Sequence, residues 1–307
     1  MEFKQNHILG LYHLSAEEIT LLLDTAREFK GINTRAVKKV PPLKGKTQIN
    51  MFFENSTRTR TSFEIAGKRL SADTINFSSS TSSTTKGETL LDTARNIMAM
   101  HPDVIVIRHS VSGSPKLLAD NIEASVINAG DGAHEHPSQA LLDIFTIQEH
   151  IGKLAGVNVL IVGDVAHSRV VRSNIIGLHK LGANVRLCAP RTMMPRNFHI
   201  DNVPITSNFE EVLPWADVVI MLRIQMERQH GPALFPNTAE YSRIWGLNKR
   251  RQQMMRKDAV ILHPGPVNRG LELSPEVADG ERSLILQQVE NGVAVRMSML
   301  FHVLHVG

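Results

Sequence analysis

The alternation of apolar and polar segments predicts short buried strands separated by amphipathic helices. Apolar runs of strand length lie at 47–53, 74–77, 103–107, 125–128, 158–162, 184–188, 217–221 and 260–262. Apolar residues at helical spacing lie at 19–29, 61–70, 90–98, 140–150, 170–181, 209–213 and 284–305. Strands that alternate with helices in this way are typical of α/β domains with parallel sheets.

The chain has 307 residues, which is the usual length of two domains. We predict two doubly wound α/β domains, each with a mostly parallel sheet flanked by helices, and an active site in the cleft between them. The first domain is expected at 1–150 and the second at 151–283. The final helix, within 284–307, is long enough to pack back on the first domain. The polar stretch 229–248 is expected to be an irregular, mobile loop.

One polar stretch stands where the first strand ends and the next helix begins. It is Ser56-Thr57-Arg58-Thr59-Arg60. A helix N-terminus offers unpaired N–H groups and the positive end of the helix dipole, so it attracts anions. Three hydroxyls and two guanidiniums within five residues therefore predict a phosphate site that lacks the glycines of a P-loop. The alternative is a capped surface helix with two solvated arginines.

Other strands of the first half also deliver polar side chains to their carboxyl ends. Arg108 and His109 follow the strand 103–107, and a longer loop after the strand 125–128 carries His136 and Gln139. The carboxyl ends of parallel strands share one edge of a sheet. Arg58, Arg108, His136 and Gln139 are therefore expected to converge.

The second half repeats this arrangement with different residues. Gly163 stands alone after the strand 158–162, so the glycine pattern of a dinucleotide site is absent and NAD binding is not expected. Arg169 and Arg223 follow two strands of this half. The stretch His263-Pro264-Gly265-Pro266 predicts a rigid turn whose carbonyls face a ligand. An arginine fork suits a carboxylate as well as a phosphate.

A run of serine and threonine at 78–85 ends in Lys86-Gly87-Glu88-Thr89. Its composition predicts a mobile loop. Such a loop could have no further role. Alternatively, its lysine could swing over an anionic site and exclude water.

Composition and charge narrow the function classes. The net charge is +4, and the basic run Lys249-Arg250-Arg251 is short, so no nucleic acid partner is expected. The one cysteine, Cys188, rules out a disulfide within the chain and predicts a reducing, cytoplasmic location. No apolar run has the length of a membrane span or of a signal peptide core, so no membrane association is expected.

Metal and covalent chemistry are not expected. His134 and His136 form a His-x-His pair, but only the dispersed His109 and His263 could add to it, so we predict no metal. No order of serine, histidine and aspartate, no nucleophilic cysteine and no catalytic carboxylate pair is present. The residues instead indicate transfer between two bound anions, driven by positioning and charge stabilisation.

These motifs together resemble the aspartate/ornithine carbamoyltransferase family. The stretch from Phe53 to Arg60 and His136-Pro137-Ser138-Gln139 carry the resemblance to the family as a whole. Similarity to its aspartate-specific branch rests on 86–89, Gly163-Asp164 with Ser168-Arg169, Arg223-Ile224-Gln225 and 263–266. Ornithine-specific members would show a Ser-Met-Gly loop and His-Cys-Leu-Pro, and this sequence has neither.

The resemblance implies transfer of the carbamoyl group of carbamoyl phosphate to the amine of L-aspartate, an early step of de novo pyrimidine biosynthesis, without a cofactor. The implied contacts to carbamoyl phosphate come from Ser56, Thr57, Arg58, Thr59, Arg108, His136, Gln139, Gly265 and Pro266. Thr59, Arg108 and His136 would stabilise the oxyanion. The implied contacts to aspartate come from Lys86, Arg169, Arg223 and Gln225.

The resemblance also implies an assembly. Family members form homotrimers in which Ser82 and Lys86 enter the site of the neighbouring subunit, and some require dihydroorotase or separate regulatory chains.

Two positions depart from some relatives. Val170 replaces a threonine, which removes at most one hydrogen bond worth about 1 kcal/mol. Thr85 replaces a second lysine. Two alternatives stay open, an acceptor other than aspartate, such as ornithine, and a non-catalytic structural partner.

Overall fold

The structure is a computed structural model that describes residues 2–78, 88–195, 203–225 and 234–305. The chain divides into two compact units. Unit 1 comprises Met1–Phe145 and Val289–Gly307, and unit 2 comprises Thr146–Gln288. Both divisions fall inside helices, so the chain passes from one unit to the other without a linker.

Unit 1 has its strands and helices in the predicted order, with one further helix at Ser114–Ala119 that was not predicted. Its strands are β1 (Thr47–Phe52), β2 (Asp73–Ser78), β3 (Val104–His109) and β4 (Ser125–Asp131). Its helices are α1 (Ala16–Lys30), α2 (Thr57–Arg69), α3 (Leu90–Met98), α4 (Ser114–Ala119), α5 (Pro137–Ile151), which continues into unit 2, and α11 (Ile285–Val303), which begins there. A 3₁₀ turn, Gly31–Thr34, follows α1.

The sheet of unit 1 is parallel throughout and has the order β2-β1-β3-β4. The chain starts in the middle at β1, adds β2 on one side and then β3 and β4 on the other. The winding therefore reverses between β1 and β3. Ligands of open α/β sheets bind at such a reversal, outside the carboxyl ends of the strands.

The core of unit 1 explains why these segments become strands. Ile105 and Ile107 of β3 are fully buried, and they pack in one cluster with Met51 of β1 and Val126 of β4. Burying each of these side chains contributes about 1.5–3 kcal/mol. A strand covered on both faces is expected in a parallel sheet and accounts for the uninterrupted apolar run of β3.

Unit 2 contains a second parallel sheet, of order β7-β6-β5-β8-β9. Its strands are β5 (Asn158–Val162), β6 (Asn184–Cys188), β7 (Ile205–Thr206), β8 (Val218–Met221) and β9 (Val260–Leu262). Its helices are α6 (Arg169–Lys180), α7 (Phe209–Val212), α8 (Thr238–Trp245), α9 (Lys249–Met254) and α10 (Pro275–Ala278), with 3₁₀ turns at Arg191–Met193 and Leu213–Trp215. Here the winding reverses between β5 and β8.

The structure therefore confirms the predicted fold class, two parallel α/β units with flanking helices, and corrects several details. The stretch 229–248 is not irregular throughout, because Thr238–Trp245 is helical and buries Tyr241 and Trp245. Helix α2 begins at Thr57 rather than Thr61, and α5 begins at Pro137 rather than Ala140. The first turn of α2 is polar and that of α5 begins Pro137-Ser138-Gln139, and apolar spacing detects neither.

Within the part of the chain that the structure describes, no helix combines the length and the apolar composition that crossing a membrane requires.

Unit 1 contains a histidine that makes folding sensitive to acid. His302 of α11 is buried, and its Nε2 lies 2.8 Å from the Thr25 hydroxyl of α1. Burial, and to a lesser extent His305, lowers the pKa of His302 from its usual 6.5 to about 4. The folded protein thus favours neutral imidazole, so stability is complete above the unfolded-state pKa and falls as pH drops from about 6.5 towards 4.

We expect His302 to cost at most about 3 kcal/mol of unfolding free energy at the acid end of this window. Urea unfolding of the wild type and of His302→Gln at pH 7.5 and pH 4.5 measures it. The wild type should lose more stability than the variant, since glutamine does not titrate. Equal losses in the two proteins would contradict this assignment.

Candidate active site

In each unit, several of the predicted site residues lie at the carboxyl ends of the two strands between which the sheet winding reverses. In unit 1 the residues after β1 lead directly into α2. Arg108 is the second-to-last residue of β3. The predicted strand end at Ile107 was two residues short, because β3 extends to His109 and includes Arg108. The carboxyl-end position of Arg108 is unchanged, since β1 and β3 pair in register from Gln48–Val104 to Phe52–Arg108.

The N-terminus of α2 is left open to a ligand by its own capping residue. Ser56 has an extended backbone at the N-cap, but its side chain accepts no hydrogen bond from the first turn, and that turn holds no acidic residue. Helix α1 in the same unit differs, because Ser15 accepts from the Glu18 N–H in a capping box. The first N–H groups of α2 therefore receive no bond from the N-cap side chain and could donate to an anion.

Side chains of this turn divide between the interior and solvent. Thr59 is buried, Ser56 is half-buried, and Thr57 and Arg58 are exposed. Exposed groups at a helix N-terminus can reach a bound anion, and a buried hydroxyl beside them offers a fixed donor. The first turn of α2 can therefore surround a phosphate on several sides.

Arg108 is held in place by Glu54, a residue for which the sequence indicated no role of its own. Its Nε donates to Glu54 Oε2 at 3.2 Å, and one terminal nitrogen donates to the Ala129 carbonyl at 3.5 Å. The Arg108 side chain is only 14% exposed. Glu54 stands two residues after β1, so it ties the loop between β1 and α2 to the end of β3.

His136 and Gln139 stand at the start of α5. His136 is buried, and its Nδ1 lies 3.5 Å from the Ser138 hydroxyl. The Gln139 amide nitrogen donates to Asp143 Oδ1 at 2.9 Å. This bond directs the NH₂ group of Gln139 towards Asp143 and leaves its carbonyl oxygen to accept from a ligand N–H.

Other histidines of this region serve the local structure. His134 lies 3.1 Å from the buried Asp131 carboxylate, which also accepts from the Gly113 N–H. His109 Nδ1 accepts from the Val111 N–H at 3.0 Å and lies 2.9 Å from the Ser114 hydroxyl. Among the described residues, no group of three or more histidine, cysteine or acidic side chains could hold a metal ion.

In unit 2, the turn after β5 is fixed by an aspartate and a histidine. Asp164 is buried and accepts from the backbone and ring nitrogens of His167 at 3.2 Å and 2.8 Å. Gly163 has φ +124°, and a side chain there would come within 3.1 Å of Leu222 Cβ. This turn leads into α6, whose N-cap Ser168 makes no capping bond and whose first residue is the buried Arg169.

Arg223 and Gln225 flank a residue whose backbone is bound on both sides. The Ile224 N–H donates to Glu272 Oε1 at 2.7 Å, and the Ile224 carbonyl accepts from the Asn268 side chain at 3.1 Å. Glu272 also accepts from the Asn268 amide group at 2.6 Å and from its backbone N–H at 2.9 Å. This fully buried carboxylate therefore links the segment after β8 to the loop after β9.

Hydrogen bonds, as well as prolines, hold the loop after β9 in place. The Gly265 N–H donates to His263 Nδ1 at 2.8 Å, and the His263 N–H donates to the Gln288 side chain at 2.9 Å. Gly265 has φ +60° and precedes Pro266 through a cis peptide bond. Because the Gly265 N–H occupies Nδ1, the neutral His263 ring carries its proton on Nε2.

The structure thus brings the predicted residues into two groups. Unit 1 gathers Ser56, Thr57, Arg58, Thr59, Arg108, His136 and Gln139 at its strand ends. Unit 2 gathers Arg169, Arg223, Gln225, Gly265 and Pro266. Ser82 and Lys86 lie outside the described residues. Each group places cationic side chains at one edge of a parallel sheet, where anionic ligands could bind.

Comparisons with known proteins show the family of the chain. Residues 6–149 match the family model for the aspartate/ornithine carbamoyltransferase carbamoyl-P binding domain, and residues 155–303 match that for the Asp/Orn binding domain. The chain is 61% identical over 304 residues to the aspartate carbamoyltransferase catalytic subunit of Geotalea daltonii, covering 99% of this chain and 97% of that one. The chain therefore belongs to the aspartate/ornithine carbamoyltransferase family.

Solved structures of two enzymes have the same fold. Aspartate transcarbamoylase from Trypanosoma cruzi, in complex with carbamoyl phosphate and aspartate, is 28% identical with a TM-score of 0.85, covering 98% of this chain and 96% of that one. Ornithine carbamoyltransferase from Pyrococcus furiosus is 28% identical with a TM-score of 0.86, covering 98% and 97%. Backbone similarity therefore does not separate the two acceptors.

Proposed function

We propose that the chain catalyses transfer of the carbamoyl group from carbamoyl phosphate to L-aspartate, giving N-carbamoyl-L-aspartate and phosphate in de novo pyrimidine biosynthesis. The observation that carries the proposal is 61% identity over 304 residues to the aspartate carbamoyltransferase catalytic subunit of Geotalea daltonii. The cationic residues at both sheet edges support it, because both substrates are anions.

Unit 1 is proposed to bind carbamoyl phosphate. The phosphate lies at the open N-terminus of α2 and contacts Ser56, Thr57, Arg58 and Thr59. Thr59, Arg108 and His136 face the carbonyl oxygen, and Gln139 accepts from the carbamoyl NH₂ group. The Glu54 ion pair and the Asp143 contact support these roles, because they orient Arg108 and Gln139 before substrate arrives.

The reaction follows from these contacts. The neutral amine of aspartate attacks the carbonyl carbon, and negative charge develops on the carbonyl oxygen. Arg108, Thr59 and His136 stabilise that oxyanion, and Arg58 stabilises the leaving phosphate, which can accept the amine proton. Removing one donor of this kind from an enzyme costs a factor of about 10²–10³ in rate. No covalent intermediate is required.

Unit 2 is proposed to bind aspartate through Arg169, Arg223 and Gln225, with backbone carbonyls near Gly265 and Pro266 directed to the carbamoyl group. Two guanidiniums match the two carboxylates of aspartate. The second candidate acceptor is ornithine, because ornithine carbamoyltransferase from Pyrococcus furiosus has the same fold. Its side-chain cation would be repelled by Arg169 and Arg223, so we favour aspartate.

The assembly that we propose is a cytoplasmic homotrimer. Ser82 and Lys86 are proposed to reach the substrates of the neighbouring subunit, with Lys86 contacting both of them. Dihydroorotase or regulatory chains are proposed as further partners.

The test is phosphate release by the purified chain with carbamoyl phosphate and either L-aspartate or L-ornithine. Release with aspartate alone is expected. Release with ornithine alone would overturn the roles of Arg169 and Arg223. Silence with both acceptors, also after dihydroorotase is added, would favour a non-catalytic structural role.

The Glu272 network gives a separate prediction. Glu272→Gln places an NH₂ group against the N–H donors of Ile224 or Asn268, so the backbone between Arg223 and Gln225 must shift. Hydrogen bonds to a charged group contribute about 1.5–3 kcal/mol. We therefore expect KM for aspartate to rise by roughly 10- to 100-fold, measured by steady-state kinetics.

Asp217→Asn is the matched control. Asp217 accepts from the Asn158 N–H at 2.9 Å and pairs with Arg256. It precedes β8 at the amino end of the same sheet, so its amide variant should leave KM for aspartate unchanged. Equal KM shifts in the two variants would show that Glu272 acts only through the stability of unit 2.

A further inference from the structure

The least expected charge in unit 1 is a buried arginine of α11. Arg296 is 4% exposed and is not among the residues predicted for the site. One terminal nitrogen donates to the Ser62 hydroxyl at 3.0 Å and to the Gly292 carbonyl at 3.0 Å. The other donates to the Ser138 hydroxyl at 3.3 Å. A buried guanidinium costs several kcal/mol to desolvate, so its retention calls for a reason.

These contacts connect the two helices whose first turns bear the predicted carbamoyl phosphate ligands. Ser62 lies in α2, one turn after Arg58, and Ser138 lies in α5 between His136 and Gln139. The guanidinium carbon also lies 5.2 Å from the centre of the Phe63 ring in α2. A single planar group therefore fixes the start of α5 against α2.

Helix α11 is shaped to hold this guanidinium. A side chain at Gly292 would come within 2.4 Å of an Arg296 terminal nitrogen and within 3.1 Å of a Leu142 methyl carbon. Glycine in a helix interior costs about 1 kcal/mol relative to alanine. Here it gives Arg296 the space to bind the Gly292 carbonyl and still reach Ser62 and Ser138.

Two charged side chains, Asp143 and Arg58, have opposite effects on the pKa of Arg296. Burial lowers its pKa to about 9, the carboxylate of Asp143 opposes this change, and the positive charge of Arg58 adds to it. Arg296 therefore remains a cation at neutral pH, and it lies within electrostatic range of Arg58. A phosphate dianion bound near Arg58 would therefore be attracted by both guanidiniums.

We propose that Arg296 is a positioning residue for the carbamoyl phosphate site, setting the first turn of α2 against that of α5 and adding a buried positive charge. This proposal rests on the function proposed above. The charge favours phosphate binding, and the bridging contacts align Arg58 with His136 and Gln139 for turnover.

Three variants separate these two effects. Arg296→Met removes the charge but keeps much of the volume, and such replacements of buried ions are often neutral or stabilising. Arg296→Lys keeps the charge but has a single donor nitrogen in place of the two that bind Ser62 and Ser138. Gly292→Ala keeps the arginine and displaces it. Gly31→Ala is the matched control, because a side chain there meets no atom within 4 Å.

Carbamoyl phosphate affinity, kcat and thermal stability are measured for each variant. Arg296→Met should weaken affinity about 10-fold and lower kcat by at least that factor. Arg296→Lys should bind within about 3-fold of the wild type yet stay low in kcat. Gly292→Ala should lower kcat, and Gly31→Ala should match the wild type.

Two outcomes overturn the proposal. One is wild-type affinity and kcat in folded Arg296→Met or, if that variant does not fold, wild-type kcat in both Arg296→Lys and Gly292→Ala. The other is a loss of thermal stability in the variants with affinity and kcat unchanged, which identifies a purely structural arginine. A wild-type protein that binds and turns over no carbamoyl phosphate instead removes the proposed function.

Discussion

Arg58→Ala is expected to lower kcat/KM for carbamoyl transfer by at least about 10³-fold. The variant loses the guanidinium that stabilises charge on the leaving phosphate, and single donors of this type contribute factors of about 10²–10³. Loss of ground-state affinity for carbamoyl phosphate adds to the effect in kcat/KM. Steady-state kinetics with carbamoyl phosphate varied at saturating aspartate measures it.

The variant should otherwise resemble the wild type. Arg58 is exposed in the first turn of α2, so its removal leaves no cavity in the core of unit 1. Light scattering should report the oligomer of the wild type, which we propose to be a trimer. Arg27→Ala, which removes an exposed arginine of α1 paired with Asp24, is the control and should be fully active. Normal kinetics in Arg58→Ala would remove the phosphate role from the α2 terminus.

Arg223→Ala is expected to raise KM for aspartate at least about 100-fold while carbamoyl phosphate affinity stays within a few-fold of the wild type. Truncating one partner of a desolvated charge pair costs about 2–5 kcal/mol. The selectivity of the effect follows from the proposed division of labour, in which unit 2 binds the acceptor and unit 1 binds the donor. Equilibrium binding of carbamoyl phosphate and kinetics with aspartate varied test the two halves separately.

Arg256→Ala is the control for this experiment. Arg256 is a half-exposed arginine of the same unit that pairs with Asp217 at the amino end of the sheet. Its loss should leave KM for aspartate unchanged. An unchanged KM in Arg223→Ala, or an equal loss of carbamoyl phosphate affinity, would contradict the assignment of Arg223 to the acceptor.

Much of the architecture could be predicted from the sequence, because buried parallel strands carry continuous apolar runs. β5, β6 and β9 have the predicted bounds, and the other predicted strands are displaced by a few residues at their ends. Polar residues directly after such strands could be assigned to one sheet edge. The strand order, and with it the point where the winding reverses, required the structure, since pairing depends on long-range contacts.

The residues that orient the site could not be found from sequence pattern. Glu54, Asp143 and Glu272 act through hydrogen bonds to groups at sequence separations of 54, 4 and 48. Arg296 lies 158 residues from Ser138. Glu54 lies in the stretch that carries the family resemblance, and Asp143 lies one helical turn after Gln139, but the sequence alone did not show their bonds to Arg108 and Gln139. Glu272 and Arg296 match no motif, and only their tertiary contacts give them a role. Helix α8 was missed because Thr238–Trp245 was grouped with the polar stretch 229–248, although Tyr241, Ile244 and Trp245 recur at helical spacing and the rings of Tyr241 and Trp245 are buried.

Direct competition between L-aspartate and L-ornithine tests the proposed acceptor specificity most sharply. The purified chain is given ¹³C-labelled carbamoyl phosphate with equal concentrations of L-aspartate and L-ornithine, and the labelled products are identified by NMR. We expect N-carbamoyl-L-aspartate and phosphate, with no citrulline detected. Citrulline as the main product would contradict this specificity.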